Sequence, residues 1–175
     1  MWSNRGAALL AVLVGIFVIS LIMLSILRIA AMDRRMSSNN TALLQARQAV
    51  DGGIAWACAQ TYENLQDASE IKALPGVPVG ASLAPVSIGN GPNMPTYKIL
   101  GNGVSLYRQG NNYCVYRFGC EGSWHGTTQN ALVTVEYRFT NHYNYGTGEP
   151  VFIGRTFTDR GKLKSYQPLN PASSL

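Results

Sequence analysis

Residues 1–28 read MWSNRGAALLAVLVGIFVISLIMLSILR, and the stretch from Ala7 to Leu27 holds no charged side chain. Fourteen of those 21 residues are Leu, Ile, Val or Phe. At roughly −0.5 kcal/mol each they favour insertion into a bilayer by about 6–7 kcal/mol. Coiled as a helix the run is about 31 Å long, the thickness of a hydrocarbon core. It is too long for an ordinary secretory h-region. The small-x-small cleavage pattern also fails, because Ile29 lies three residues before a cut after Ala31 and Arg28 three before a cut after Ala30. The run is therefore read as a retained membrane helix preceded by six residues, MWSNRG.

The helical pattern outlasts the oily run. No proline occurs before Pro75. Leu43, Val50, Ile54, Ala57, Thr61 and Leu65 recur at helical spacing, with Gln45, Arg47, Gln48, Asp51, Gln60 and Glu63 between them. One helix from Ala7 to Gln66 is predicted, amphipathic over 28–66. Ser37–Asn40 and Gly52–Gly53 are its weak points, since glycine costs up to about 1 kcal/mol in a helix.

Beyond the helix, residues 75–95 hold five prolines among several glycines and read as a connecting loop. The period then changes to two. In YCVYRFGCE, Cys114, Tyr116, Phe118 and Cys120 share one face, with Tyr113, Val115, Arg117 and Glu121 on the other. In ALVTVEYRFT, Ala131, Val133, Val135, Tyr137 and Phe139 share a face. These are two half-buried strands joined by a loop over 122–130. Val104–Gln109 is a third, with Gly101-Asn102-Gly103 as a turn before it, and Val151–Phe157 a fourth. The fold class is α+β, a long N-terminal helix packed on an antiparallel sheet. Residues 67–157 form the sheet domain. KLKSYQPLNPASSL closes a polar tail of little order over 158–175.

The net charge of +5 is divided unevenly. Residues 1–35 carry +3, residues 36–149 sum to −1, and residues 150–175 carry +3. A nearly neutral middle argues against a nucleic-acid-binding face, so nucleic acid is not expected as a partner. There is no CxxC, HExxH, GxSxG or phosphate-binding glycine loop, and only His125 and His142 as histidines. No enzyme, metal or cofactor is expected. Trp124-His125-Gly126 reads as turn chemistry, and NHYNYG (141–146) as a loop of packed aromatics, with a contact surface as the alternative.

Cys58, Cys114 and Cys120 are the disulfide candidates. On one continuous strand Cys114 and Cys120 lie about 20 Å apart, against the roughly 7 Å a bridge allows. They pair only if the chain turns near Gly119. Cys58 on the helix meets either of them equally well on this reading, and three reduced core thiols are the remaining alternative.

MWSNRG followed by AALLAVLVGIFVISL resembles the leader and stem of a type IV prepilin. Cleavage is then implied after Gly6, with Ala7 as the new, methylated N-terminus. Residues 1–6 are the leader and 7–27 the membrane and filament-core segment. The glutamate that major pilins carry at the fifth mature position is replaced by Ala11, which is similar to PilX-type minor pilins and to the tip pseudopilin of type II secretion. LLQARQAVDGGIAWACA resembles the small-residue repeat of the PilX-like group. A carboxylate in hydrocarbon is costly unless paired, and a subunit with no neighbour ahead of it has no amine to pair with. The resemblance thus implies a subunit that initiates or caps a filament. Its implied partners are other pilins, a prepilin peptidase, the inner-membrane assembly machinery and, before assembly, lipid. Arg28, Arg34 and Arg35 follow the span and only Arg5 precedes it, which by the positive-inside count places the body in the cytoplasm. The resemblance implies the opposite: leader inside, body extracytoplasmic. The competing function is a single-pass anchored binding or adhesion domain that never polymerises.

Overall fold

A computed structural model describes residues 4–67, 71, 85–89, 91, 93–146 and 148–169. Helix α1 runs unbroken over Asn4–Asp67. The chain divides into two compact units, Met1–Thr41 and Ala42–Leu175.

In the first unit every described residue from Leu9 to Thr41 is exposed. The two serines of the uncharged run are satisfied locally. Ser20 Oγ donates to Ile16 O at 2.8 Å and Ser25 Oγ to Leu21 O at 2.9 Å. Hydroxyls bonded to their own helix offer lipid no unmet donor, which is the requirement on a spanning segment.

In the second unit α1 lies on an antiparallel sheet. The strands are β1 (Val86–Ser87), β2 (Thr96–Gln109), β3 (Tyr113–Trp124), β4 (Thr127–Asn144), β5 (Val151–Phe157) and β6 (Lys162–Leu169). They are ordered β1-β2-β3-β4-β5, and β6 also pairs with β4. The 18-residue β4 serves two neighbours in succession, pairing β6 over Asn130–Glu136 and β5 over Phe139–Asn144. The alternation read from the sequence holds. Cys114, Tyr116, Phe118 and Cys120 on β3, with Ala131, Val133, Val135, Tyr137 and Phe139 on β4, are at most 2 % exposed. Burial of these side chains against α1 is the main driving force for the unit.

Five expectations need correction. Leu43 is exposed at 42 %; Val50, Ala57, Thr61 and Leu65 of the expected stripe are buried, joined by Ala42, Ala46 and Ala49 in place of Leu43. Small side chains win because helix and sheet approach closely. A Cβ on Gly122 of β3 would run into the Ala46 carbonyl and lie 2.7 Å from Val50 N. A Cβ on Gly53 would lie 2.6 Å from both Cys120 Sγ and the Tyr97 ring. Gly52–Gly53 is thus no break in the helix but part of a contact surface. The loop expected over 122–130 shrinks to the two-residue turn His125-Gly126, with φ of +46° and +78°. Both central residues lie in the left-handed region, the geometry of a tight hairpin turn. Gly101-Asn102-Gly103 does not turn the chain. It lies within β2, where the pairing with β3 slips between Leu100 and Ser105. Finally, the polar tail is largely a strand: Lys162–Leu169 is β6, because β4 offers an open edge from Asn130 to Glu136. Of the loop over 75–95, Val86–Ser87 pairs with β2 as β1, and most of the rest, like residues 170–175 of the tail and 1–3 of the leader, lies outside the described residues.

Candidate functional site

The Gly6–Ala7 bond lies in the first turns of α1, which starts at Asn4. Ala11 is one turn beyond Ala7 and exposed. From Leu9 to Leu27 the large apolar side chains stand open, Leu9 at 70 % and even the best covered, Val18, at 47 %. An apolar surface of this extent exceeds what a soluble monomer exposes. Its chemistry fits lipid or other apolar helices. The helix is long and apolar enough to cross a membrane. Arg28, Asp33, Arg34 and Arg35 follow the run on the same helix. Between and after them Ile29, Met32 and Met36 continue an apolar, exposed series.

The second unit anchors the other end of α1. Tyr137 on β4 donates from its hydroxyl to Cys58 O at 3.0 Å. Arg155 on β5 donates from Nη1 to Leu65 O at 3.0 Å and from Nε to Asn141 Oδ1 at 2.8 Å. Its guanidinium also lies over the Phe139 ring at 5.2 Å and the Phe152 ring at 4.8 Å. Leu65 carries one of the last four carbonyls of α1, which have no partner within the helix. Arg155 supplies that partner and a positive charge where the helix dipole favours one. Neither Tyr137 nor Arg155 was singled out from the sequence as an anchor. Tyr137 was visible there only as a core residue, and Arg155 only as a charge within a strand.

All three cysteines are free thiols. β3 runs straight through Gly119, which pairs with Leu100 and Leu132. The turn that a Cys114–Cys120 bridge requires is therefore missing. Cys114 lies directly across from Tyr137 in the β3–β4 ladder. Cys120 Sγ donates to Val50 O at 3.6 Å. Burial pushes the Cys114 thiol up to about 12, with Arg155 opposing. It pushes Cys120 up to about 12 as well, reinforced by Asp51 and Glu121. Burial also raises Cys58, with a smaller opposing effect from its bond to Tyr137. Thiols held protonated in this way are poor nucleophiles.

His125 occupies the hairpin turn, its ring edge-on to Trp124 at 4.2 Å. Asn141–Asn144 of NHYNYG extends β4 rather than forming a loop, and His142 Nε2 shares a 2.7 Å hydrogen bond with Thr156 Oγ1. Its tyrosines are not packed away: Tyr143 is 41 % exposed and Tyr145 74 %. Among the described residues no three His, Cys, Asp or Glu side chains converge as a metal site would need.

A long apolar N-terminal helix packed at its far end on an antiparallel sheet is the α+β arrangement of the type IV pilins. Residues 5–55 match the family model described as PilX N-terminal, and over this segment the chain is similar to the PilX-like type IV pilins. The match covers the apolar run and the start of the sheet-packed part of α1. Comparison with curated proteins and with solved structures gave no match.

Proposed function

We propose that this chain is a minor pilin, a structural subunit that starts or caps a type IV pilus-like filament. Residues 1–6 act as the leader, prepilin peptidase cuts between Gly6 and Ala7, and the new Ala7 amine is methylated. The subunit waits in the bacterial inner membrane with its sheet domain outside. Its stem then passes from lipid into a bundle of pilin helices. That exchange is nearly neutral in apolar burial, so packing and the assembly machinery give it direction.

One observation carries the reading: a bare apolar stem, exposed from Leu9 onward, with an uncharged Ala11 where a shaft subunit would need a carboxylate. An apolar residue there suits a subunit with no neighbour ahead of it. The exposed Tyr143 and Tyr145 favour a second reading, an anchored binding domain that does not polymerise. Co-expression with a prepilin peptidase separates the two. Loss of the mass of residues 1–6 supports the pilin, and an intact N-terminus supports the anchor. Gly6→Phe is expected to block the cut.

A further inference from the structure

The expectation of no nucleic-acid partner counted residues 150–175 apart from the sheet. In the folded unit β6 brings Lys162 and Lys164 onto β4. The register then builds one row across four strands on the face turned away from α1: Arg108 on β2 lies across from Val115, Val115 from Glu136, and Glu136 from Lys162. Arg138 lies two residues further along β4, across from Tyr113, and Arg117 lies two residues from Val115 on β3. At about 4.8 Å between strands the row is only about 15 Å wide. Five cations, Arg108, Arg117, Arg138, Lys162 and Lys164, are exposed there around a single carboxylate.

That carboxylate does not cancel them. Arg138 Nε reaches Glu136 Oε1 at 2.7 Å and Lys164 Nζ reaches Oε2 at 3.1 Å. The Glu136 side chain is 13 % exposed, against 63 % for Arg138 and 39 % for Lys164. An approaching polymer meets the cations and not the acid. Elsewhere on the face Lys98 and Glu121 neutralise each other at 2.9 Å.

Two tyrosines lie among these charges. A register slip between Leu106 and Arg108 lifts Tyr107 out of the ladder, leaving it 63 % exposed, with the Arg117 guanidinium 5.3 Å from its ring centre. Tyr113 borders a cleft of about 410 Å³ lined also by Arg108, Asn112, Val115, Glu136 and Arg138. That volume is within the range of small-ligand pockets. Cations in a row with aromatic rings between them match the chemistry of single-stranded nucleic acid: phosphates on the charges, bases on the rings. A lipid headgroup layer or an acidic polypeptide would use the charges, but neither carries the series of flat rings that stack on tyrosines, which a single strand presents.

We propose that the outer face of the β2–β3–β4–β6 sheet binds single-stranded nucleic acid through Arg108, Arg117, Arg138, Lys162 and Lys164, with Tyr107 and Tyr113 as stacking platforms. The test uses the full chain in a nonionic detergent and the fluorescence anisotropy of a labelled oligothymidylate at several salt concentrations. About four phosphate contacts give a slope of log K against log salt near −3. The triple variant R108Q/K162Q/K164Q is expected to bind at least tenfold more weakly, with the slope flattened to about −1. Y107S is expected to lose roughly tenfold in affinity with the slope unchanged. Circular dichroism and thermal melting confirm that each variant is folded; for a variant that is not, the single exposed-site changes R108Q and K162Q stand in, each flattening the slope by about 0.7. Absence of binding by the unaltered chain overturns the proposal, and so does a slope that charge removal leaves in place. Equal competition by polyglutamate or by phosphatidylglycerol vesicles also overturns it, as does a duplex bound as tightly as the single strand. Processing at Gly6 is independent of all these outcomes.

Discussion

Gly53 separates two effects that usually act together. In an isolated helix Gly→Ala gains about 1 kcal/mol. Here the added methyl would meet Cys120 Sγ and the Tyr97 ring at 2.6 Å, and overpacking of that kind costs about 1–3 kcal/mol. Gly53→Ala is therefore expected to lower the melting temperature of the sheet unit, whereas Gly15→Ala, with nothing within 4 Å of the new methyl, is not. A rise in melting temperature for Gly53→Ala would show that the helix lies further from β3 than described. Arg155 makes the converse point. Arg155→Met keeps bulk but leaves the Leu65 carbonyl and the Asn141 side chain without this donor. The expected loss is about 1–3 kcal/mol, read as a shifted urea midpoint at unchanged slope. Arg155→Lys restores charge but not the fork that reaches both acceptors, and is expected to recover only part of it. At Ala11 the expectation concerns assembly. Ala11→Glu places a carboxylate in hydrocarbon at a cost of roughly 2.5–3.5 kcal/mol. If this subunit belongs at a filament end, the variant is expected to lose function there, as measured by pilus number.

At the scale of elements, the two cysteines of β3 make the sheet unit sensitive to alkali. Their thiols ionise near 8.5 when unfolded and near 12 when folded. A raised acid pKa means the stabilisation is complete below about pH 8.5 and is lost as pH climbs toward 12. Tyr116 and Tyr137 are also raised by burial, but their loss begins only near pH 10, the unfolded tyrosine value. Between about pH 8.5 and 10 stability is expected to fall by up to roughly 1.4 kcal/mol per pH unit for each of the two thiols. Cys114→Ala with Cys120→Ala is expected to flatten that slope, whatever it does to stability at pH 7. The edge of β4 gives a second expectation at this scale. Truncation after Asp159 removes β6 and uncovers Asn130–Glu136, so aggregation by light scattering is expected to rise.

Taken as a whole molecule, much of the architecture was legible in the residues. The uncharged run from Ala7, the absence of proline before Pro75 and the two-residue period around Cys114–Cys120 and Ala131–Phe139 suffice for a long helix on an antiparallel sheet. The misreadings have physical causes. Leu43 looked like a core residue because hydrophobicity marks a buried face well only when the packed surfaces are far apart. Where Gly53 and Gly122 let the backbones close in, alanines are buried instead. β6 was missed because KLKSYQPL has no apolar alternation, and its place is decided by the open edge of β4. The same omission hid the cationic face, since Lys162 and Lys164 acquire neighbours only once β6 is paired. The apolar stem, by contrast, depends on local composition and was legible as a long exposed helix, and residues 5–55 match the PilX N-terminal family model.

On the proposed function the oily stem is a processed assembly element and not a plain anchor. Intact-mass analysis of the chain recovered from cells that express a prepilin peptidase tests it most directly. The expected species begins at Ala7 and carries one added methyl group, and it is absent when Gly6 is replaced by Phe. A chain that keeps residues 1–6 in cells whose other prepilins are fully processed would contradict it.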